Sequence, residues 1–136
     1  MRRTRTIVVV ALSPFLSSCS GTMNVEPCLI NGRVAFELED VPRLFFGKEE
    51  PTPHRLAVFT KGNEPWEKRV LWEIEPIPRK RSLIVYGQNI AGSRVPRRAK
   101  PLRVGERYMV HVAAGPFVGS AEFVVSNDLR ACQLDR

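Results

Sequence analysis

The sequence predicts an all-β domain, and three observations support this prediction. Apolar and polar residues alternate in several short runs, of which Val70, Trp72 and Ile74 form the clearest. Prolines and glycines fall between these runs, where a proline does not remove a hydrogen-bond donor from a central strand. No stretch shows the period of an amphipathic helix of ordinary length. Short strands separated by turn residues are typical of a small antiparallel sandwich or barrel.

The alternation places the individual strands along the chain. Val34, Phe36 and Leu38 alternate with smaller or charged residues, and Leu56 and Val58 share one face of the next run. A short turn is predicted near residues 42–47. We predict strands at residues 34–39, 55–60, 70–75, 82–86, 108–113 and 119–125, which together with a returning strand at 129–134 give about seven.

Residues 102–112 carry a more specific pattern. Leu102, a turn at Gly105 and then Tyr108 at the start of an alternating run resemble the tyrosine corner of immunoglobulin-like and fibronectin-like domains. The resemblance implies an immunoglobulin-like sandwich in which the Tyr108 hydroxyl binds backbone upstream and Trp72 is the buried tryptophan of strand C. Antibody domains have a disulfide cysteine two residues after the tyrosine, where this chain has Val110. Another small β-sandwich, such as a transthyretin-like one, stays open as an alternative.

The first residues have the order of a targeting segment. Three arginines precede the apolar run 7–16, which is shorter than the ~20 residues of a membrane span. Leu16-Ser17-Ser18-Cys19 then resembles the lipobox of bacterial lipoproteins. The resemblance implies a signal peptide at residues 1–18, an acylated Cys19 as mature N-terminus, a short tether at 19–27 and a sandwich domain at 28–136. The alternative is an ordinary secretory signal, but no A-x-A-like cleavage site lies nearby.

The residue after Cys19 bears on the location that the resemblance implies. In Gram-negative lipoproteins an Asp at that position resembles an inner-membrane retention signal, and here the residue is Ser20. We therefore expect a lipid-anchored protein at the outer membrane, facing the periplasm, if the source is Gram-negative.

The number of cysteines is consistent with an exported, lipid-anchored protein. The chain has three cysteines, and lipidation of Cys19 leaves Cys28 and Cys132. We predict that these two form a disulfide in an oxidising compartment, with the alternative of two unpaired thiols. To reach Cys28, residues 129–134 are expected to return along the last strand of the sandwich, because the two Cα atoms must lie within ~7 Å of each other.

The positive charge is concentrated in one part of the sequence. Removing three signal-peptide arginines from 21 basic residues leaves 18 against 14 acidic ones, so the net charge falls from +7 to +4. Basic residues dominate positions 79–107. The basic residues of two loops, 79–81 and 97–98, form a candidate surface for anionic lipid headgroups or lipopolysaccharide phosphates. The alternative is a run of charged residues that only contacts solvent. No nucleic-acid partner is expected. The candidate residues are Arg79, Lys80, Arg81, Arg97 and Arg98.

Motifs for catalysis or metal binding are weak. No G-x-S-x-G elbow is present, and His54 and His111 are the only histidines. Met109 and His111 share one strand face, which copper could use, although two outward-facing residues are the simpler interpretation. Glu73 and Glu75 are expected on the solvent face of their strand.

These observations favour one function over two alternatives. We expect a non-enzymatic, lipid-anchored envelope protein that acts as an interaction, assembly or accessory module, without a cofactor or a metal. Its expected partners are the membrane, through the lipid on Cys19, and either anionic headgroups or an envelope protein complex. The alternatives are a periplasmic ligand- or copper-binding protein and, less favoured, a small envelope enzyme.

Overall fold

A computed structural model describes residues 21–43, 45–77 and 79–133. The expected signal peptide and Cys19 lie outside the described residues. The all-β prediction is confirmed, since the described strands form sheets of six, three and two strands. The strands are β1 (Gly21–Thr22), β2 (Val25–Ile30), β3 (Arg33–Leu38), β4 (Val41–Pro42), β5 (Lys48–Glu49), β6 (Arg55–Phe59), β7 (Val70–Glu75), β8 (Leu83–Val85), β9 (Arg94–Arg97), β10 (Arg107–Ala114) and β11 (Phe117–Val124), and the helix is α1 (Trp66–Arg69).

Two sheets pack face to face. The larger one has the order β1-β11-β10-β6-β7-β9, and the smaller one has the order β2-β3-β8. The core lies between them because each strand turns its apolar positions inward, as the period of two requires. The rings of Phe36 on β3 and Phe123 on β11 meet edge to face across this core, with 5.4 Å between their centroids.

The hydrogen bond implied by the tyrosine corner is present. Tyr108 is buried at the start of β10, and its hydroxyl oxygen accepts the backbone N–H of Arg103 at 2.9 Å. Trp72 is also buried, as expected, but it does not lie on strand C. In the immunoglobulin-like pattern strand C pairs with strand F, and the strand paired with β10 is β6. Trp72 lies one strand further out, on β7.

The segment expected to form a tether belongs largely to the domain. β1 pairs in parallel with β11, and β2 pairs with β3, so residues 21–27 lie within or between strands. Met23 and Val25 are apolar and buried, which explains the difference. They pack so closely on Gly119 that a Cβ atom there would lie 2.6 Å from the carbonyl oxygen of Met23.

The predicted disulfide is confirmed, with an S–S distance of 2.07 Å between Cys28 and Cys132. The route of the tail differs from the prediction. Ala131 forms a parallel bridge with Leu29 on β2, so the tail joins the smaller sheet and does not run along β11. The strand count also differs. Five strands were not predicted, namely β1, β2, β4, β5 and β9, and the described part of the predicted strand at 129–134 forms only the isolated bridge at Ala131.

The two ends of the larger sheet are distinct. We call the groove end the one that carries Gly21, Arg55 and the turn between β10 and β11. The opposite end carries Phe59 and Arg107.

Candidate functional site

The β4–β5 hairpin carries the most exposed large apolar side chains among the described residues. Phe45 is 83% exposed and Phe46 is 89% exposed. Val41 anchors the base of the hairpin in the core, and Arg43 closes the loop by donating its N–H to the carbonyl oxygen of Gly47 at 3.1 Å. Gly47 has a φ of 76°, in the left-handed region that favours glycine. The turn therefore holds two adjacent phenylalanines in solvent.

A groove of about 790 Å³ separates this hairpin from the turn between β10 and β11. The hairpin and the segment after it line one side, and the turn lines the other. His54 supports the turn, because its Nδ1 accepts the backbone N–H of Gly115 at 3.2 Å. The lining residues are Val41, Pro42, Arg43, Glu49, Glu50, Thr52, Ala114, Gly115, Pro116 and Phe117.

The first described residue lies beside this groove. Gly21 donates its N–H to the carbonyl oxygen of Pro116 at 3.1 Å. A Cβ atom on Gly21 would lie 2.7 Å from the ring of Phe117, so the backbone passes directly against that ring. Cys19 is two residues before Gly21 in the sequence. The chain therefore enters the fold at the groove end.

The first basic group, residues 79–81, also lies at the groove end. Lys80 Nζ is 2.8 Å from Glu49 Oε2 on β5, and this hydrogen bond and charge lower the pKa of the Glu49 carboxyl. Arg81 donates its backbone N–H to the carbonyl oxygen of Pro51 at 2.9 Å. Its Nε is buried and has no hydrogen-bond partner among the described residues. Arg79 is exposed.

The second basic group does not join the first. Arg97 was expected in a loop, but it is the last residue of the edge strand β9, opposite Glu73. After the exposed Arg98, Lys100 donates its N–H to the carbonyl oxygen of Leu71 at 3.0 Å, so the chain runs toward the opposite end. The five basic residues thus occupy two separate places rather than one pair of neighbouring loops.

Met109 and His111 share the outer face of the larger sheet, as predicted. His111 Nδ1 lies 2.9 Å from Ser120 Oγ on the next strand. Burial lowers the pKa of His111, and the charge of Arg55 lowers it further, so the neutral imidazole is favoured. His111 and Ser120 can therefore share a hydrogen bond, and neither residue lines the groove. Copper binding at Met109 and His111 stays a prediction.

Glu73 differs from the prediction that it faces solvent. Its side chain is only 10% exposed, and its Oε1 accepts a hydrogen bond from Arg55 Nε at 2.8 Å. The guanidinium of Arg55 also lies 5.7 Å from the ring centroid of Trp66, so the segment that contains α1 lies over this face. Glu75, at 34% side-chain exposure, remains partly open to solvent.

The disulfide lies beside a charged cluster. Arg130 Nη2 is 2.9 Å from Glu37 Oε2 and 2.6 Å from Glu26 Oε2, and these contacts raise the pKa of Arg130. Among the described residues, one group brings together three metal-ligating side chains of the Cys, His, Asp or Glu type: Cys28, Glu37 and Cys132. Its two sulfurs are bonded to each other, so the group serves to fasten the tail.

Comparisons with protein families, curated proteins and solved structures find no match to this chain. Within the described part of the chain, no helix is both long and apolar enough to cross a membrane.

Sequence reasoning missed the exposed phenylalanines. The signal available was the pair Phe45-Phe46 flanked by Arg43 and Lys48 in a segment with no strand-like alternation. Such a pair fits a buried turn as well as an exposed one. Only the packing around it decides between the two.

Proposed function

We propose that this protein is a non-enzymatic bacterial lipoprotein, anchored through an acylated Cys19, whose sandwich domain acts as an interaction or accessory module in the cell envelope. The observation that carries the proposal is the order of basic residues, apolar run, Leu16-Ser17-Ser18 and Cys19. If the source is Gram-negative, Ser20 favours the periplasmic face of the outer membrane.

The cysteines support an exported protein. Cys28 and Cys132 are joined in a disulfide, and such bonds persist in oxidising compartments. Cys19 is then the one cysteine in the sequence without a place in this pair. Acylation gives it a chemical role, whereas a free thiol in an exported protein would be reactive.

The point where the chain enters the fold is also consistent with an anchor. Gly21 is already paired with Phe117 at the sheet edge, two residues after Cys19. Two residues span at most ~7 Å, so an anchor on Cys19 holds the groove end close to the bilayer. The domain would then contact whatever lies at the membrane surface.

The test is the intact mass and membrane fractionation of the protein expressed from its own signal. Wild type should partition into membranes with added acyl mass and without residues 1–18. Cys19→Ser should lose both the acyl mass and the processing. Ser18→Ala keeps a small residue before the cysteine and should behave as wild type. A soluble, unmodified wild type would refute the proposal.

The basic residues extend this proposal to anionic headgroups. Arg79 and Lys80 lie at the groove end, where the anchor would be, and Arg97 and Arg98 do not. Each juxtamembrane cation contributes ~1 kcal/mol near an anionic surface. Glutamine replacement of the first pair should therefore weaken binding to anionic vesicles more than replacement of the second pair. If the two variants bind anionic vesicles equally well, the proposed contact of Arg79 and Lys80 with headgroups is wrong.

A further inference from the structure

The geometry points to a second membrane contact: we propose that Phe45 and Phe46, at the tip of the β4–β5 hairpin, enter the interface of the bilayer that holds Cys19. This inference rests on the proposed function, since it takes the bilayer as the occupant because of the anchor. It adds a specific insertion site and an orientation of the domain.

The exposure of the tip requires an explanation. Phe45 and Phe46 are more exposed than any other large apolar side chains in residues 21–43, 45–77 and 79–133. Val104, at 81% exposure, is comparable but stands alone. Single exposed apolar residues are normal on soluble proteins, whereas adjacent aromatic side chains rimmed by polar ones mark contact surfaces.

The position of the anchor selects the bilayer as the occupant. Gly21 is hydrogen-bonded to Pro116, and Pro116 lines the groove whose other wall is the base of the hairpin. Gly21, two residues after Cys19, therefore lies beside one wall of the groove, and the base of the hairpin that carries the phenylalanines lines the other wall. A lipid on Cys19 brings the membrane within reach of the phenylalanines without any rearrangement of the sandwich.

The charges around the tip fit an interface. Arg43 and Lys48 flank the phenylalanines and have side-chain exposures of 61% and 64%. Each forms one long ion pair, with Arg43 Nε 3.9 Å from Glu49 and Lys48 Nζ 4.0 Å from Glu39. Long cationic side chains lay their apolar stems along acyl chains and keep the charge among headgroups. A loop with an apolar tip and cationic flanks matches the composition of interfacial segments.

The experiment compares two tryptophan positions in the lipidated full chain. Phe45→Trp and Val104→Trp would each be expressed from the native signal, purified in acylated form and reconstituted in vesicles of phosphatidylethanolamine and phosphatidylglycerol. Val104 precedes β10 at the opposite end, about 24 Å or more from the groove end along that eight-residue strand. It matches Phe45 in exposure, and both proteins share the background of Trp66 and Trp72.

The readout is the quenching of tryptophan fluorescence by lipids brominated in their acyl chains. Interfacial side chains reach ~5–10 Å into the headgroup boundary, so Phe45→Trp should be quenched at least about two-fold more than Val104→Trp, with a blue-shifted emission. Phe46→Trp repeats the test at the neighbouring position and should give the same result.

Each outcome decides the matter. Equal quenching of the Phe45→Trp, Phe46→Trp and Val104→Trp proteins, all acylated, overturns the insertion and leaves the lipoprotein proposal intact. It would also be the result if the tip docked onto a protein. If purified wild type carries no acyl mass, the proposed function fails and the insertion fails with it. The mass measurement thus separates the two failures.

Discussion

The tail and the hairpin are both additions to the sandwich, but the chain fastens only one of them firmly. The tail, residues 126–133, is cross-linked through Cys132 and bound through Arg130 to two carboxylates. The hairpin, residues 41–49, is closed by a two-residue strand pair and leaves Phe45 and Phe46 in solvent. The exposure of Phe45 and Phe46 therefore has no explanation in the stability of the fold. The fastened segment closes the fold, and the exposed one is available for contact.

Of the changes in the tail and the hairpin, opening the tail has the largest expected effect. A variant with Cys28→Ser and Cys132→Ser should lose about 2–5 kcal/mol of unfolding free energy, because the cross-link closes a loop of 104 residues. Denaturant unfolding of the purified protein measures this loss.

Reduction provides the control for that variant. A reducing agent should destabilise wild type by a similar amount and leave the double serine variant unchanged. A loss below about 1 kcal/mol would mean that the remaining contacts of the tail suffice without the cross-link.

A smaller effect is expected from the ion pair of the tail. Glu37→Gln keeps the shape of the side chain but removes the charge that faces Arg130, and its amide nitrogen must face one of two donors, Arg130 or the backbone N–H of Gln133. We expect a loss of about 1–2 kcal/mol in unfolding free energy. This loss is at the lower end of what a hydrogen bond between charged groups contributes, because the side chain of Arg130 is 36% exposed and its charge is partly screened by solvent.

Glu26→Gln is the matched control for Glu37→Gln. Glu26 binds the same Arg130 nitrogen, but its side chain is 61% exposed. Its loss should stay below about 0.5 kcal/mol. Equal losses for the two variants, measured by denaturant unfolding, would show that burial of Glu37 adds nothing to the contact.

The smallest effect is expected at the hairpin tip. The double variant Phe45→Ser and Phe46→Ser should unfold within about 0.5 kcal/mol of wild type, because neither side chain is buried. The buried Phe36 is the contrasting position, where replacement by alanine should cost about 3–5 kcal/mol. A loss above about 1 kcal/mol at the tip would mean that the phenylalanines pack on the fold, which would erase the contrast between hairpin and tail.

Local pattern predicted the parts of the fold that depend on neighbouring residues. Alternation located the strands around Trp72 and Tyr108, because a strand sends successive side chains to opposite faces. It could not assign Trp72 to its place in the sheet order. Alternation also placed Glu73 on the correct face, yet it could not show that Arg55 and the segment around Trp66 cover that face.

The candidate site was predicted only in part, for the same reason. The basic residues 79–81 were found from their charge, but their meeting with Glu49 joins parts of the chain that are far apart in sequence. The separation of Arg97 from them follows from strand β9 and the path of the chain after it. The groove itself is formed by two turns that approach each other only in the folded chain.

The sequence by itself determined the strand-forming segments, the tyrosine corner and the pairing of Cys28 with Cys132, because each depends on residue type and short spacing or on parity. The tertiary structure decided which sheet the tail joins, how far the domain extends toward Cys19 and which phenylalanines stay uncovered. These depend on long-range packing, in which each segment competes for the same apolar surface. Phe36 found a partner across the core in Phe123, and Phe45 and Phe46 were left in solvent.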